Sequence, residues 1–394
     1  MAGVVTTTTQ IVGTNMPLKK SNFTIIQDDL TKSIDVDASD GRSVPINMNF
    51  TDLGFLAKDT GFTLFGASTT QKRHSTFNYR KKDGTSFILS ILGTKMQRYF
   101  PLDREWSDIG TSPTFTENVE VVYLAYNNDL YFGNAVQSLY KFDGTTFTEF
   151  PSAPKGNILE IFEDRLFISG VTLEPLTAYY SNVGVPTTFA VASLINPLGT
   201  DRINNLKNYY GSLLIFKQES IWKLTFIYDQ VVSLFVPKLE QQSGNYGACS
   251  RKSVAWVEND IWFFTGVEVR SIGFTDNVSG VFGINNSVIS EDIKVTLALI
   301  NNTLWSNIAV FYNNRRFYLE VPLSGNTNDT LFVCHLLYGR SWTKYSGRTK
   351  SKVNDFMEID DIIYTSAASS PFGTIKWKVD LADTQDINNN FITE

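Results

Sequence analysis

Two histidines, two cysteines and one compact basic run are the residues of this 394-residue chain whose types invite chemistry. A hydrolytic triad would have to use His74 or His335, and no G-x-S-x-G, H-E-x-x-H or phosphate-binding glycine loop accompanies either. Cys334 and His335 are adjacent, but neighbours on a strand point to opposite faces and do not share a metal; a buried thiol beside a turn histidine is expected. Cys249 and Cys334 lie among small or apolar residues outside any C-x-x-C pair, which suits core-filling thiols. Asp35-Val36-Asp37-Ala38-Ser39-Asp40-Gly41 alternates oxygen ligands as a calcium loop does. Its glycine falls one place late, however, and Ile46 stands where a bidentate glutamate is required, so a solvated acidic loop is expected. Gln71-Lys72-Arg73-His74 and Tyr79-Arg80-Lys81-Lys82, interleaved with Phe77, could hold phosphates, but a solvated hairpin face is the simpler reading. No catalytic, cofactor-binding or metal-ligating residue is assigned, and no cofactor is implied.

The elements that would position such residues are built on one repeated pattern. Leu130 to Phe132 is a short apolar strand, Gly133 to Gln137 a turn, and Ser138 to Phe142 an alternating strand. Asp143-Gly144-Thr145 turns the chain again into Thr146 to Phe150. Variants recur at Phe87, Leu166, Leu213, Ile261, Phe317 and Ile362, each heading a hairpin. These markers are spaced by roughly 35 to 55 residues, the size of a four-stranded propeller blade. One alternating hairpin buries neither face, so it must stack on neighbours, and a ring gives every face a partner. The expected fold is therefore all-β: a β-propeller of about seven, alternatively six, four-stranded blades with an N-terminal extension.

Composition agrees with a β-rich globular chain. Aromatics make up 13 % and charged residues 19 %, and no apolar run approaches the roughly eighteen residues that a membrane helix needs. The N-terminus carries four threonines after Val5 and lacks the basic and apolar regions of a secretory signal. Net charge is −6, which disfavours broad attraction to nucleic acid or anionic lipid. Residues 1–45, with their acidic stretch from Asp28 to Asp40, read as a docking extension, and 46–394 as the propeller. Pro45 to Phe50 alternates and is the expected strand that closes the ring against the final blade, while blade 1 is expected from about Phe62 to Ile109. Ser290 is the expected cap of a short helix between blades. The tail from Asp380 onward is polar and expected to fray or dock on a neighbour.

The order of these motifs carries a resemblance. Phe77-Asn78-Tyr79-Arg80-Lys81-Lys82-Asp83-Gly84-Thr85, Glu105-Trp106-Ser107-Asp108-Ile109 and Leu139-Tyr140-Lys141-Phe142-Asp143-Gly144 follow one another. Arg165-Leu166-Phe167-Ile168-Ser169-Gly170, Ile215-Phe216-Lys217-Gln218-Glu219-Ser220-Ile221-Trp222 and Asn259-Asp260-Ile261-Trp262 complete the series. Over about residues 62 to 275 this series resembles the propeller-bearing tail proteins of tailed bacteriophages, of the nozzle or stabilisation type. The resemblance implies a non-enzymatic virion component, made in the host cytoplasm and residing in the tail. It also implies self-association into a ring, commonly hexameric, that extends or seals the DNA channel, with other tail or portal-proximal proteins as neighbours and at most passive contact with DNA.

Two other functions compete. A carbohydrate- or receptor-binding propeller at the tail tip would use exposed aromatics, with Trp106, Trp305 and Trp342 as candidates. A polysaccharide-degrading propeller glycosidase would need paired carboxylates near the axis, to be drawn from 40 acidic residues. Asp143-Gly144 and Asp83-Gly84 partly match the Asp-box of sialidases, but the expected reading of both is turn chemistry.

Overall fold

The computed structural model describes residues 62–377 except 70, 104, 232, 277–280, 285–287, 347–352, 360–361 and 368–371, together with four short strands upstream. Seven four-stranded antiparallel sheets follow one another along the chain. Their second strands are Ser86–Leu92, Asp129–Gly133, Arg165–Ser169, Ser212–Lys217, Asp260–Phe264, Arg316–Val321 and Ile362–Ala367 in blades 1 to 7. Each of the seven sequence markers lies on one of these strands.

The strands are apolar at nearly every position because each sheet is covered on both faces. In Ser212–Lys217 of blade 4, Leu213 and Ile215 pack toward blade 3, while Leu214 and Phe216 pack toward blade 5. In Asp260–Phe264 of blade 5, Ile261 and Phe263 turn back to blade 4, and Trp262 and Phe264 face blade 6. Alternation with period two thus feeds two separate cores from one strand. The same holds around the whole circle. Among the described residues, seven buried clusters lie one in each gap between successive blades, and the last joins Met357 and Tyr364 of blade 7 to Ile88 and Tyr99 of blade 1. Burial at about 25 cal/mol per Å² of apolar surface makes these gaps the main source of stability.

The ring is closed by a strand from the N-terminal side. Phe62–Thr69 pairs antiparallel with Phe372–Trp377 as the outermost strand of blade 7, Leu64 opposite Ile375. This corrects the expected closure by Pro45 to Phe50. Met48–Phe50 instead forms a hairpin with Leu56–Lys58, outside the seven sheets. Blade 1 accordingly begins at Arg73, and Phe62–Thr69 belongs to the last blade. The principle behind the expectation holds, since an unpaired Phe372–Trp377 would leave an open edge. A further hairpin joins Ile34–Val36 to Ser43–Pro45, and both upstream hairpins lie beside Ser341–Ser346, the outer strand of blade 6. Residues 1–33, 37–42 and 378–394 lie outside the described residues, and with them most of the Asp35 to Gly41 loop and the polar tail.

Turn chemistry accounts for Asp143 and Asp83. Asp143 accepts hydrogen bonds from the backbone N–H groups of Thr145 and Thr146, both at 2.8 Å, with Gly144 at φ 101°. Asp83 accepts from Thr85 at 2.8 Å, with Gly84 at φ 87°. The expected short helix is present as a 3₁₀ turn, Glu291–Ile293, running into Lys294–Leu297. Ser290 does not cap it; its hydroxyl accepts from the N–H of Val269 at 2.8 Å and ties the linker to blade 5. No helix among the described residues is long and apolar enough to cross a membrane.

Candidate functional site at the tunnel mouth

The innermost strands surround a tunnel along the ring axis. It encloses about 280 Å³ and is lined by residues of all seven blades, Thr76, Val122, Ile158, Leu206, Val254, Val310 and Phe356 among them. These strands all run the same way, so the residues just before or at their starts gather at one end, the mouth.

At the mouth, three residues far apart in sequence meet. Glu120 precedes the inner strand Val122–Tyr126 of blade 2, and Arg251 and Lys252 precede Val254–Val257 of blade 5. Blades 2 and 5 stand on opposite sides of the ring. Arg251 Nη2 donates to Glu120 Oε2 and Lys252 Nζ to Glu120 Oε1, each at 2.5 Å, so one carboxylate is gripped from across the axis by two cations. Burial would push the Glu120 carboxyl up, but Lys252, Arg251 and the more distant Lys72 outweigh it and bring it down to about 2. The backbone carbonyls of the same pair hold two further blades: Arg251 O accepts from Asn205 Nδ2 of blade 4 at 2.5 Å, and Lys252 O from Val310 N of blade 6 at 2.8 Å. The mouth is therefore a brace across the ring.

The basic run at blade 1 divides: Arg80 and Lys82 are exposed, as a solvated hairpin face requires, whereas Arg73 and His74 are not. Arg73 and His74 are 2 % and 1 % exposed. The cause is a bulge: register slips between His74 and Phe77, and Ser75 takes φ 54°. The bulge aims the Ser75 hydroxyl at blade 2, where it accepts from Val121 N at 2.8 Å, and it also meets His74 Nδ1 at 2.8 Å. With Ser75 accepting from Val121, its own O–H is available to donate to Nδ1, which suits a neutral imidazole. Burial, opposed by Glu120 and reinforced by Lys72 and Lys252, lowers His74 to about 4. Arg73 lies 4.1 Å over the Trp106 ring and donates through Nη2 to Gln97 Oε1 at 2.7 Å. Burial lowers its guanidinium to about 10, with Asp108 pulling the other way.

Both cysteines, His335 and Trp342 are packed inside the blades. Cys249 and Cys334 are fully buried, and burial pushes the Cys249 thiol up to about 12. His335 is a strand residue at the end of Thr330–His335, not the expected turn histidine. Its Nε2 meets Thr343 Oγ1 at 3.0 Å, and burial, with Arg316, lowers it to about 3. Trp342 is fully buried with its indole donating to Ile289 O at 3.1 Å, so it is not available to a sugar. Trp106 is stacked on Arg73 and donates to Phe65 O of the closing strand at 3.3 Å. Among the described residues, no group of three or more His, Cys, Asp or Glu is placed to hold a metal.

No family model matches the chain, and no curated protein matches it. Among solved structures, the chain is similar to PorZ, described as an essential bacterial surface component of the type-IX secretion system of Porphyromonas gingivalis. The TM-score is 0.47 with 11 % identity, over 82 % of this chain and 39 % of that one.

Glu120, Arg251 and Lys252 escaped sequence reasoning. They sit in unremarkable linkers about 130 positions apart, and only the return of every inner strand to one axis brings them together. Glu160 was missed for the same reason. On the inner strand of blade 3 it pairs with Lys207 of blade 4 at 4.0 Å, and burial raises its carboxyl while Lys207 opposes.

Proposed function

We propose that the chain is a non-enzymatic structural component of a bacteriophage tail, nozzle- or adaptor-like, that self-associates into a ring, with a hexamer as the working stoichiometry. The observation that carries this reading is the brace at the tunnel mouth. A propeller that acts on a ligand at its axis keeps the axial end open and its acid groups poised for proton transfer. Here the carboxylate at the mouth, Glu120, is spent on two cations and held ionised far below neutral pH, so it serves as a tie between blades. On this reading the propeller is a rigid building block, and any DNA channel lies between copies, not through one copy's own tunnel. A net charge of −6 suits a wall that DNA passes without adhering. The motif order over about residues 62 to 275 is what directs the reading to phage tails, and the upstream hairpins beside blade 6 supply a rim element for docking.

Immunoelectron microscopy of the virions tests it. Antibody against the purified chain should decorate the tail. Label confined to non-virion material of the infected cell would overturn the proposal.

A further inference from the structure

One hairpin outruns its blade. In blade 4 the second strand pairs with the third, Ile221–Asp229, only from Ile221 to Leu224. The third strand and the outer strand, Leu234–Ser243, stay paired with each other as far as Asp229 opposite Leu234, so the end of this ribbon has no further strand beside it. Its stem is fixed in the gap between blades 3 and 4, where Trp222, Leu224 and Phe226 are buried and Phe226 lies against the rings of Phe162, Phe167 and Tyr180. Strands alternate in direction within a blade, which puts the hairpin turn at the end of the ring opposite the mouth. Successive strands of a sheet also turn by roughly 20–25° from one another, which carries the tip sideways off the axis.

Beyond Phe226 the apolar sequence continues but the cover stops. Ile227, Tyr228, Val231, Leu234 and Phe235 are 46 to 92 % exposed. Tyr228 stands opposite Phe235 with ring centroids 5.5 Å apart, and Ile227 stands opposite Val236 on the other face. Five side chains of this size present about 600 Å², as much as the largest patch on an ordinary monomer and most of the roughly 800 Å² that each partner gives to a standard interface. The edge of the outer strand is protected, since Pro237 has no N–H to offer and Lys238 carries a charge. What the ribbon offers is therefore its apolar faces, not a strand addition.

We propose that the tip of this hairpin seats in a groove on blade 3 of a second copy of the chain. The groove lies at the mouth end, where the chain passes from the second to the third strand of blade 3 and then leaves its outer strand for blade 4. It encloses about 490 Å³, and Leu173, Pro175, Leu176, Tyr179 and Leu194 give it an apolar lining, with Leu173 91 % and Leu194 44 % exposed. Tip and groove match in character but lie at opposite ends of adjacent blades, and the anchored stem keeps a copy's tip out of its own groove. A contact between two unlike surfaces joins copies head to tail, and it closes into a ring when the rotation from copy to copy closes. A lipid surface is the poorer partner. Both lysines at the base of the tip, Lys223 and Lys238, lie beside Glu240 at 3.9 and 2.6 Å, whereas a membrane-binding tip keeps cations free for the headgroups. The proposal rests on the self-association reading and names the surfaces that carry it, without requiring a virion.

Sedimentation velocity of the purified full-length protein over a range of concentrations tests it. Phe235→Glu and Val231→Glu charge the tip and Leu173→Glu charges the groove; all three positions are more than half exposed, and circular dichroism checks that the variants stay folded. The wild type is expected to associate reversibly, and each variant alone at least about tenfold more weakly, as loss of a central apolar contact requires. A mixture of Phe235→Glu with Leu173→Glu should recover a dimer of one copy each, because one keeps an intact groove and the other an intact tip. Wild-type association in both tip variants would overturn the role of the hairpin, and wild-type association in Leu173→Glu would overturn the groove. A mixture that stays monomeric would overturn head-to-tail seating. Binding of the wild type to phosphatidylcholine vesicles, lost in Phe235→Glu, would overturn the proposal in favour of lipid. A wild type that is monomeric at every concentration would also overturn it, while the ring reading would then be decided by assembly on the particle.

Discussion

Glu120 joins two blades on opposite sides of the ring, and its removal tests how much that tie contributes. Glu120→Gln keeps the shape but leaves Arg251 and Lys252 facing each other without a counter-charge. A fully buried pair broken in this way costs about 3–5 kcal/mol. The Glu120 side chain is one-third exposed, so solvent screening reduces the expected loss to about 1–3 kcal/mol, measurable by urea unfolding. Lys217 makes a sharper case. Its ammonium is fully buried, 2.9 Å from Asp201 Oδ1 and 2.9 Å from Leu198 O, and it pins the link between blades 3 and 4. Lys217→Met should cost about 3 kcal/mol, because Asp201 keeps its charge without its cation. The histidines govern acid sensitivity. His74 and His335 are held at about 4 and about 3, below the ordinary value near 6.5, so between those limits the unfolded chain takes up protons that the folded chain refuses. Stability is therefore complete above pH 6.5 and falls as the pH drops, by on the order of 3 kcal/mol through His74 alone by pH 4. The double variant His74→Gln, His335→Gln should flatten the plot of unfolding free energy against pH between 6.5 and 4. An unchanged slope would contradict this assignment. Glu120 adds a separate loss only below pH 4.5.

At the scale of elements, closure by Phe62–Thr69 separates two truncations. Removing residues 1–45 leaves all seven sheets their strands and should preserve the β-sheet circular-dichroism signal and cooperative melting. Removing residues 1–70 strips the outer strand from blade 7, exposes the edge of Phe372–Trp377 and should yield aggregation or a broad transition. The sequence made the blades legible because strands covered on both faces read as apolar runs between turn residues, as Leu213-Leu214-Ile215-Phe216 does. It misplaced the closing strand because Pro45 to Phe50 alternates cleanly, whereas Phe62–Thr69, with Leu64 beside Phe65 and a Gly-Ala-Ser-Thr end, does not, and only pairing reveals its place. It misread Arg73 and His74 because a bulge at Ser75, invisible in composition, turns a charged run inward. Trp342 is a similar case: an aromatic in an outer strand looks available until the neighbouring blade covers it.

For the whole molecule, the repeat carried the architecture from sequence alone, since each marker from Phe87 to Ile362 lands on the second strand of its own blade. The tunnel mouth was not legible, because a ring brings residues together by closure, and linear spacing holds no trace of that. This closed, braced propeller is proposed as a unit of a larger ring. Light scattering of the purified full-length protein, alone and after mixing with partially assembled tails, tests it most directly. The expected result is a discrete integer multiple of the chain mass in solution, or a monomer that is drawn into a defined oligomer on the particle. A monomer at every concentration that leaves the particles unbound would contradict it.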